Sequence, residues 1–111
     1  MNKDLPSCPV QITMSLIDNK WKVLIIGEIL HGAKRFSVLK KALPGISQKV
    51  LTQNLRSMEA SGIINREVFA EVPPRVEYSL TELGLSLEPV IIAMMEWGEA
   101  YRIRACAVGA V

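Results

Sequence analysis

The sequence contains few of the residues from which catalytic and metal sites are built. Its 111 residues include one histidine, His31, and two cysteines, Cys8 and Cys106, which lie near opposite ends of the chain. This spacing matches no metal-binding motif. There is also no paired carboxylate site, no nucleophile with a neighbouring base and no glycine-rich phosphate loop. We therefore expect no enzymatic activity, no catalytic residue, no bound metal and no cofactor.

Long apolar runs are also absent. The longest is Val90–Met95, far below the roughly 20 residues that span a bilayer. The first ten residues, MNKDLPSCPV, lack the apolar core of a signal peptide. We therefore expect a cytoplasmic protein with no membrane partner. Half of the residues are nevertheless hydrophobic, and the mean hydropathy is +0.25. For one small domain, 1–111, this composition predicts that self-association covers part of the apolar surface.

Acidic residues are scarce in the middle of the chain. The net charge is only +2. Between Lys20 and Arg66, however, nine cations stand against two carboxylates, whereas from Glu67 onward seven glutamates stand against three arginines. A basic middle beside an acidic end predicts a nucleic-acid-binding surface on one side of the molecule.

The segment Ser47–Ala60 has the strongest functional pattern. As a helix, it places Leu51, Leu55 and Met58 on one apolar stripe. The opposite face contains long hydrogen-bonding side chains and no acid, a set suited to pairing with base edges and phosphates. The alternative is an ordinary surface helix. The residues of the polar face are Gln48, Lys49, Thr52, Gln53 and Arg56.

The preceding segment favours a DNA-binding helix over an ordinary surface helix. Ser37 is predicted to cap a helix of about two turns, which Pro44-Gly45 ends, and Ser47 caps the next helix. Two short helices joined by a tight glycine-containing turn form a helix-turn-helix, here over 37–60. The residues expected to face inward from the first helix are Val38, Leu39 and Leu43.

Two β-type runs follow and predict a wing. Ile63–Ala70 and Arg75–Leu80 are rich in β-branched and aromatic residues. The stiff segment Glu71–Pro74 between them cannot continue a ladder. The sequence thus predicts a hairpin over 63–80, with Lys34–Phe36 as a third strand. The expected fold class is α+β, mainly α: a winged helix-turn-helix.

Contacts to DNA divide into two predicted groups. The polar face of the Ser47 helix is expected to read bases, although Arg56 lies far enough along to meet a phosphate instead. Arg75 can reach a phosphate or the minor groove, or it can pair with Glu71 or Glu77, and the sequence does not choose between these. The remaining candidates, placed near the phosphates, are Lys34, Arg35, Ser37, Lys40 and the helix-starting Ser47.

The other helices surround this unit. Asp18-Asn19 is predicted to cap a helix at about 20–30. Helices over 8–17 and 81–105 are predicted to form a twofold dimer interface, since the second is apolar on more than one face. Pro89 should split that helix near Glu88. The alternative is that both terminal helices complete the monomer core. The residues expected to face inward from the 20–30 helix are Trp21, Leu24, Ile25 and Ile29.

Taken together, the ordered segments resemble the bacterial HxlR-type winged helix-turn-helix regulators, relatives of the MarR group. The resemblance covers most of residues 8–98. Asn19 stands where this family often has glycine, and Phe69 where tyrosine is common; both lie outside the predicted base-reading positions. The matching segments are CPV, KW, KRFSVL, PGISQKVLTQNLRSMEASGII, VPPRVEYSLTELG and LEPV…EWG.

The resemblance implies a homodimeric, sequence-specific transcriptional regulator. A twofold dimer would present two reading helices about 34 Å apart to an inverted-repeat operator. Some members sense electrophiles, oxidants or small aromatic compounds through a cysteine at the position of Cys8. A helix N-terminus favours a thiolate there, although a small buried residue at a helix start is the alternative. A winged-helix protein-interaction module without DNA binding is the second functional interpretation.

Overall fold

The computed structural model describes residues 5–107. These residues form helices around a small sheet, which confirms the mainly helical winged helix-turn-helix fold class. The elements, in chain order, are α1 (Pro9–Leu16), α2 (Lys20–Ile29), β1 (Lys34–Arg35), α3 (Phe36–Ala42), α4 (Gln48–Ala60), β2 (Ile64–Phe69), β3 (Arg75–Leu80), α5 (Glu82–Leu85) and α6 (Glu88–Ala107).

The sheet has the strand order β1-β3-β2, and both pairings are antiparallel. β2 and β3 form the predicted hairpin, with Ile64 opposite Leu80 and Phe69 opposite Arg75. The two-residue strand β1 places Lys34 opposite Tyr78. The hairpin therefore begins directly beside the C-terminal end of α4.

The core lies where α2, α3 and α4 meet the base of the hairpin. The apolar stripe of α4 is buried as its spacing predicted, with Leu51 and Met58 fully enclosed. Because this stripe packs inward, the opposite face of α4 must point away from the core. The other fully buried side chains are Ile25, Ile26, Ile29, Leu39, Ile63 and Ile64.

Two residues that were predicted to face the core are exposed instead. Leu24 is 46 % exposed and Val38 is 44 % exposed. Ile26 occupies the buried position of α2 instead of Leu24. α2 is apolar on more than one side, so its periodicity alone does not tell which side meets the core. Trp21 is partly buried against the core.

Helix starts follow the predicted caps at two of three positions, Asn19 and Ser47, and Thr81 caps α5 as well. The side chains of Asn19, Ser47 and Thr81 each accept a hydrogen bond from a backbone N–H in the first turn of their helix. Ser37 does not cap α3, which begins at Phe36 directly after the extended Arg35. The polypeptide passes from β1 straight into α3, so the helix-turn-helix spans 36–60.

The C-terminal region splits as Pro89 predicted. α5 ends at Leu85 and α6 begins at Glu88, which puts Pro89 in the first turn of α6, where a missing N–H costs nothing. α6 runs to Ala107, beyond the expected end at 105. The two ends of the predicted domain 1–111, residues 1–4 and 108–111, lie outside the described residues.

The terminal helices add little to the monomer core. Within the described residues α1 buries no residue and α6 buries only Ile91. The radius of gyration is 16.2 Å, against about 13 Å for a compact chain of this length. Most of both helices therefore lies outside the monomer core. Among residues 5–107, no helix combines the length and apolar character needed to cross a membrane.

Candidate nucleic-acid interface

The polar face of α4 forms one continuous surface, which we call the reading surface. Its five predicted base-reading side chains line a single open depression of about 540 Å³. Four of them are exposed and Thr52 is half-buried. No carboxylate of residues 5–107 lines this depression, so its electrostatic character is cationic. The lining residues are Gln48, Lys49, Thr52, Gln53 and Arg56.

A second depression, of about 490 Å³, adjoins the reading surface. It brings together Ser37 and Lys40 of α3 and Gln48 of α4. Gln48 lines both depressions, so α3 and α4 present one uninterrupted surface. Lys41, which was not among the predicted phosphate contacts, lines the second depression as well.

Four predicted contacts lie outside these two depressions: Lys34, Arg35, Ser47 and Arg75. Lys34 is half-buried and Arg35 is exposed, and both belong to β1. Ser47 is exposed, and its Oγ accepts a hydrogen bond of 3.0 Å from the Val50 backbone N–H. The cap at the start of α4 therefore already occupies one acceptor position of the Ser47 hydroxyl.

Arg75 forms ion pairs with Glu71 and Glu77, which were the predicted alternative to a DNA contact. Its Nη2 lies 3.2 Å from a Glu71 carboxylate oxygen, and its Nε lies 3.3 Å from Glu77. The guanidinium also stacks on Phe69, with 4.0 Å between Cζ and the ring centroid. With these three partners, the Arg75 guanidinium is held within the hairpin rather than extended from it.

A cleft of about 360 Å³ separates α4 from the sheet. Arg66 of β2 lies across this cleft from α4, with Nε 3.5 Å from a Glu59 carboxylate oxygen. Burial raises the pKa of the Tyr78 phenol in the same cleft. Sequence reasoning overlooked Arg66, although the hairpin register places it opposite Tyr78 and so beside α4.

A polar cluster joins α2 to the back of α4. Lys22 donates a 2.9 Å hydrogen bond to the Ser57 hydroxyl and pairs with Asp18 at 2.8 Å. The Asn19 side-chain amide donates a 2.9 Å hydrogen bond to Asn54 Oδ1. The hydrogen bond from Lys22 lowers the pKa of Asp18. Lys22 is buried, so it belongs to the interior rather than to the basic surface.

Both cysteines are free and exposed. Cys8 occupies the N-cap position of α1, as the Cys8-Pro9 pair suggested, and its side chain makes no capping hydrogen bond. Cys106 lies in the last turn of α6. Within residues 5–107 no three His, Cys, Asp or Glu side chains are grouped as a metal site would require.

Comparisons with known proteins agree with this geometry. A family model described as HxlR-like helix-turn-helix matches residues 16–105. The Bacillus subtilis protein named uncharacterized HTH-type transcriptional regulator YdeP is 48 % identical over 101 residues, covering 91 % of this chain and 79 % of YdeP.

Two solved structures of regulators are also similar. The redox regulator HypR in its oxidized form has a TM-score of 0.81 at 48 % identity, covering 84 % of this chain and 96 % of HypR. The reduced form of the transcriptional regulator YodB from B. subtilis has a TM-score of 0.72 at 37 % identity, covering 85 % of this chain and 93 % of YodB.

Proposed function

Because the chain belongs to the HxlR-like helix-turn-helix family of transcriptional regulators, we propose that it acts as a homodimer on an inverted-repeat DNA operator. In this proposal α4 enters the major groove of each half-site. The observation that carries the proposal is the reading surface, where five polar or cationic side chains share one acid-free depression. The relatives of this chain are named as transcriptional regulators, so we propose no enzymatic role.

The two depressions suggest a division of labour. The side-chain amides of Gln48 and Gln53 have the geometry that pairs with adenine. The Lys49 ammonium can donate hydrogen bonds to guanine. Lys40 and Lys41 on α3 are placed beside them to meet the phosphate backbone. Lysine contacts to phosphate release counterions, so binding should weaken steeply as salt rises. Because Arg75 is held by two glutamates, this proposal gives it no DNA contact.

A dimer is supported by the apolar surfaces that the monomer leaves open. α1 exposes Val10 and Met14, at 64 % and 60 %, and α6 exposes Trp97 at 70 %. A concentration of exposed apolar side chains on two helices favours a protein–protein interface. Twofold pairing through these helices would place two α4 helices on one side of the dimer.

Gln53→Ala tests base reading. The operator would first be selected with the wild-type protein from a pool of random duplexes. The variant should bind this operator more weakly by about 1–3 kcal/mol, since one base contact is lost. Its affinity for a scrambled duplex of the same length should stay within about twofold, because phosphate contacts supply non-specific binding. Fluorescence anisotropy with both duplexes measures the two affinities.

Asn65→Ala provides the control, since Asn65 has an exposed side-chain amide on β2, outside the reading surface and outside α1 and α6. It should change neither affinity. Equal losses of Gln53→Ala on both duplexes would contradict the base-reading assignment. Absent or salt-insensitive binding of wild-type protein to any duplex would instead favour a winged-helix protein-interaction module.

We further propose that modification of Cys8 by an oxidant, or by an electrophilic or aromatic compound, changes operator affinity. Cys8 is exposed at the start of α1, and α1 belongs to the proposed dimer surface. A change there could therefore alter the spacing of the two α4 helices. The description of HypR as a redox regulator supports this proposal without assigning the role to Cys8.

The thiol proposal predicts a change in operator affinity of at least about fivefold after diamide treatment, the lower range of common allosteric couplings. Thiol titration would run beside anisotropy for the wild-type protein, Cys8→Ser and Cys106→Ser. Cys8→Ser should not respond to diamide, and Cys106→Ser tests whether Cys106 acts as a partner thiol. Unchanged wild-type binding after complete modification of Cys8 would rule out the sensor role.

A further inference from the structure

The polar cluster that joins α2 to the back of α4 indicates a function for residues that lie outside the reading surface. We propose that Asn19 and Asn54 are positioning residues, which hold α4 at the rotation that its base contacts require. This inference rests on the proposed DNA-binding function and identifies what aligns its reading surface. Asn19 belongs to the loop before α2, and Asn54 lies in the middle of α4.

The burial pattern singles out this cluster. Among residues 5–107 the buried polar or charged residues are Lys22 and Asn54, each 7 % exposed. Both take part in hydrogen bonds that join the α2 region to α4. Burying a polar side chain is unfavourable unless its hydrogen bonds are satisfied, so these two side chains should be locked to one geometry.

The hydrogen bonds form a continuous connection between the two helices. Asn19 Oδ1 accepts a 3.1 Å bond from the Lys22 backbone N–H, while Asn19 Nδ2 donates a 2.9 Å bond to Asn54 Oδ1. Asn54 Nδ2 donates a 2.9 Å bond to the Val50 carbonyl oxygen. Lys22 Nζ reaches Ser57, one turn further along α4, at 2.9 Å.

These bonds limit motions of α4 that apolar packing allows. Hydrophobic contacts are non-directional, so the apolar stripe of α4 tolerates small rotations of the helix about its own axis. Hydrogen bonds weaken steeply as their distances and angles depart from the optimum. Bonds to Asn54 and Ser57, three residues apart on one side of α4, therefore oppose both rotation and sliding.

The size of the effect follows from helix geometry. Side-chain tips lie roughly 5–6 Å from the helix axis, so a rotation of about 10° moves them by about 1 Å. A base-edge hydrogen bond has a useful range of about 0.5 Å. Gln53 and Arg56 directly precede Asn54 and Ser57 in sequence, so they move with any such rotation. Non-specific phosphate contacts by long, flexible side chains tolerate the same displacement.

Asn54→Leu separates positioning from plain stability. Leucine branches at the same carbon as asparagine and suits a buried site, and the Asn19 amide that loses its partner is exposed to water. The thermal midpoint of unfolding should therefore change little. Affinity for the operator selected with the wild-type protein should fall about tenfold, the worth of one base contact. Affinity for the scrambled duplex should stay within about twofold. Anisotropy and a thermal melt give these quantities on the full chain.

Asn19→Ser provides a second variant that removes the same link from the other side. Serine keeps an oxygen that can cap α2, but it is too short to reach Asn54. We expect a similar loss of operator affinity, and the double variant should lose no more than either single variant, because both remove one interaction. Asn65→Leu, at an exposed position on β2, is the matched control and should leave operator affinity unchanged.

The outcomes distinguish this inference from the proposed function. Operator affinity unchanged in Asn54→Leu and Asn19→Ser, with wild-type binding intact, would overturn the positioning role alone. Equal losses on operator and scrambled duplexes would also overturn it, since a general loss of folded protein acts on both. A wild-type protein that binds no duplex would overturn the proposed function, and the positioning role with it.

Discussion

Trp97→Glu is expected to convert the proposed dimer to a monomer and to weaken operator binding by about 100-fold or more, because a dimer gains its second half-site as an intramolecular event. A carboxylate in an apolar interface must be desolvated without a partner, which opposes association. The monomer itself should remain folded, since Trp97 is 70 % exposed. Light scattering after size exclusion gives the mass, and anisotropy gives the affinity.

Trp97 is chosen because, at 70 %, it is the most exposed of the large hydrophobic side chains of α6. Its ring stacks on that of Tyr101, with 5.5 Å between the ring centroids. Large aromatic side chains in the centre of an interface usually carry much of its binding energy. The exposed large hydrophobic residues of α6 are Ile92, Met94, Met95, Trp97, Tyr101 and Ile103.

Leu85→Glu is the matched control for this prediction. Leu85 is 50 % exposed, but it ends α5 and lies outside both α1 and α6. The same type of substitution there should preserve mass and operator affinity. A Trp97→Glu protein that keeps the dimer mass and the wild-type affinity would contradict the assignment of α6 to the interface.

Gly84→Ala is expected to lower the free energy of unfolding by about 1–3 kcal/mol, the usual cost of overpacking. A methyl group at this position would lie 2.2 Å from the Ile63 carbonyl oxygen and 3.0 Å from Leu80 Cδ2. The carbonyl belongs to the backbone at the start of the hairpin, so it cannot move aside as a flexible side chain could. Chemical denaturation of the variant measures the loss.

Gly98→Ala tests the same substitution where space is open. No atom outside its own helix turn lies within 4 Å of the added methyl group at Gly98, which is exposed within α6. Because glycine is unfavourable inside a helix, alanine should stabilise by about 0.5–1 kcal/mol. Opposite signs at the two glycines are the expected result. A Gly84→Ala protein as stable as the wild type would contradict the close packing of α5 on the hairpin.

Local patterns were sufficient for the order and approximate limits of the elements. The caps at Asn19, Ser47 and Thr81 use hydrogen bonds within three residues, and the split at Pro89 follows from the chemistry of one residue. Ser37 shows the limit of this reasoning. A serine beside a helix start resembles a cap, but the β1 strand continues until Arg35 and moves the start of the helix.

Non-local packing determined what the patterns left open. Leu24 and Ile26 are equally apolar, and only the position of α2 against the sheet and α4 shows that Ile26 is the buried one. Lys22 is a cation in a basic segment, yet its partners Asp18 and Ser57 draw it into the interior. Lys22 and Ser57 are 35 residues apart in the chain, so no local window contains this pair.

The sequence by itself determined that α4 has an apolar and a polar face, since both follow from the 3.6-residue period of one helix. It also determined the turn before α4 and the hairpin after it. Only the tertiary structure decided what holds the polar face in place, because the bonds from Asn19 and Lys22 to α4 join residues 35 positions apart. The tertiary structure likewise decided that α6 extends beyond the core, since that depends on what the other helices leave uncovered.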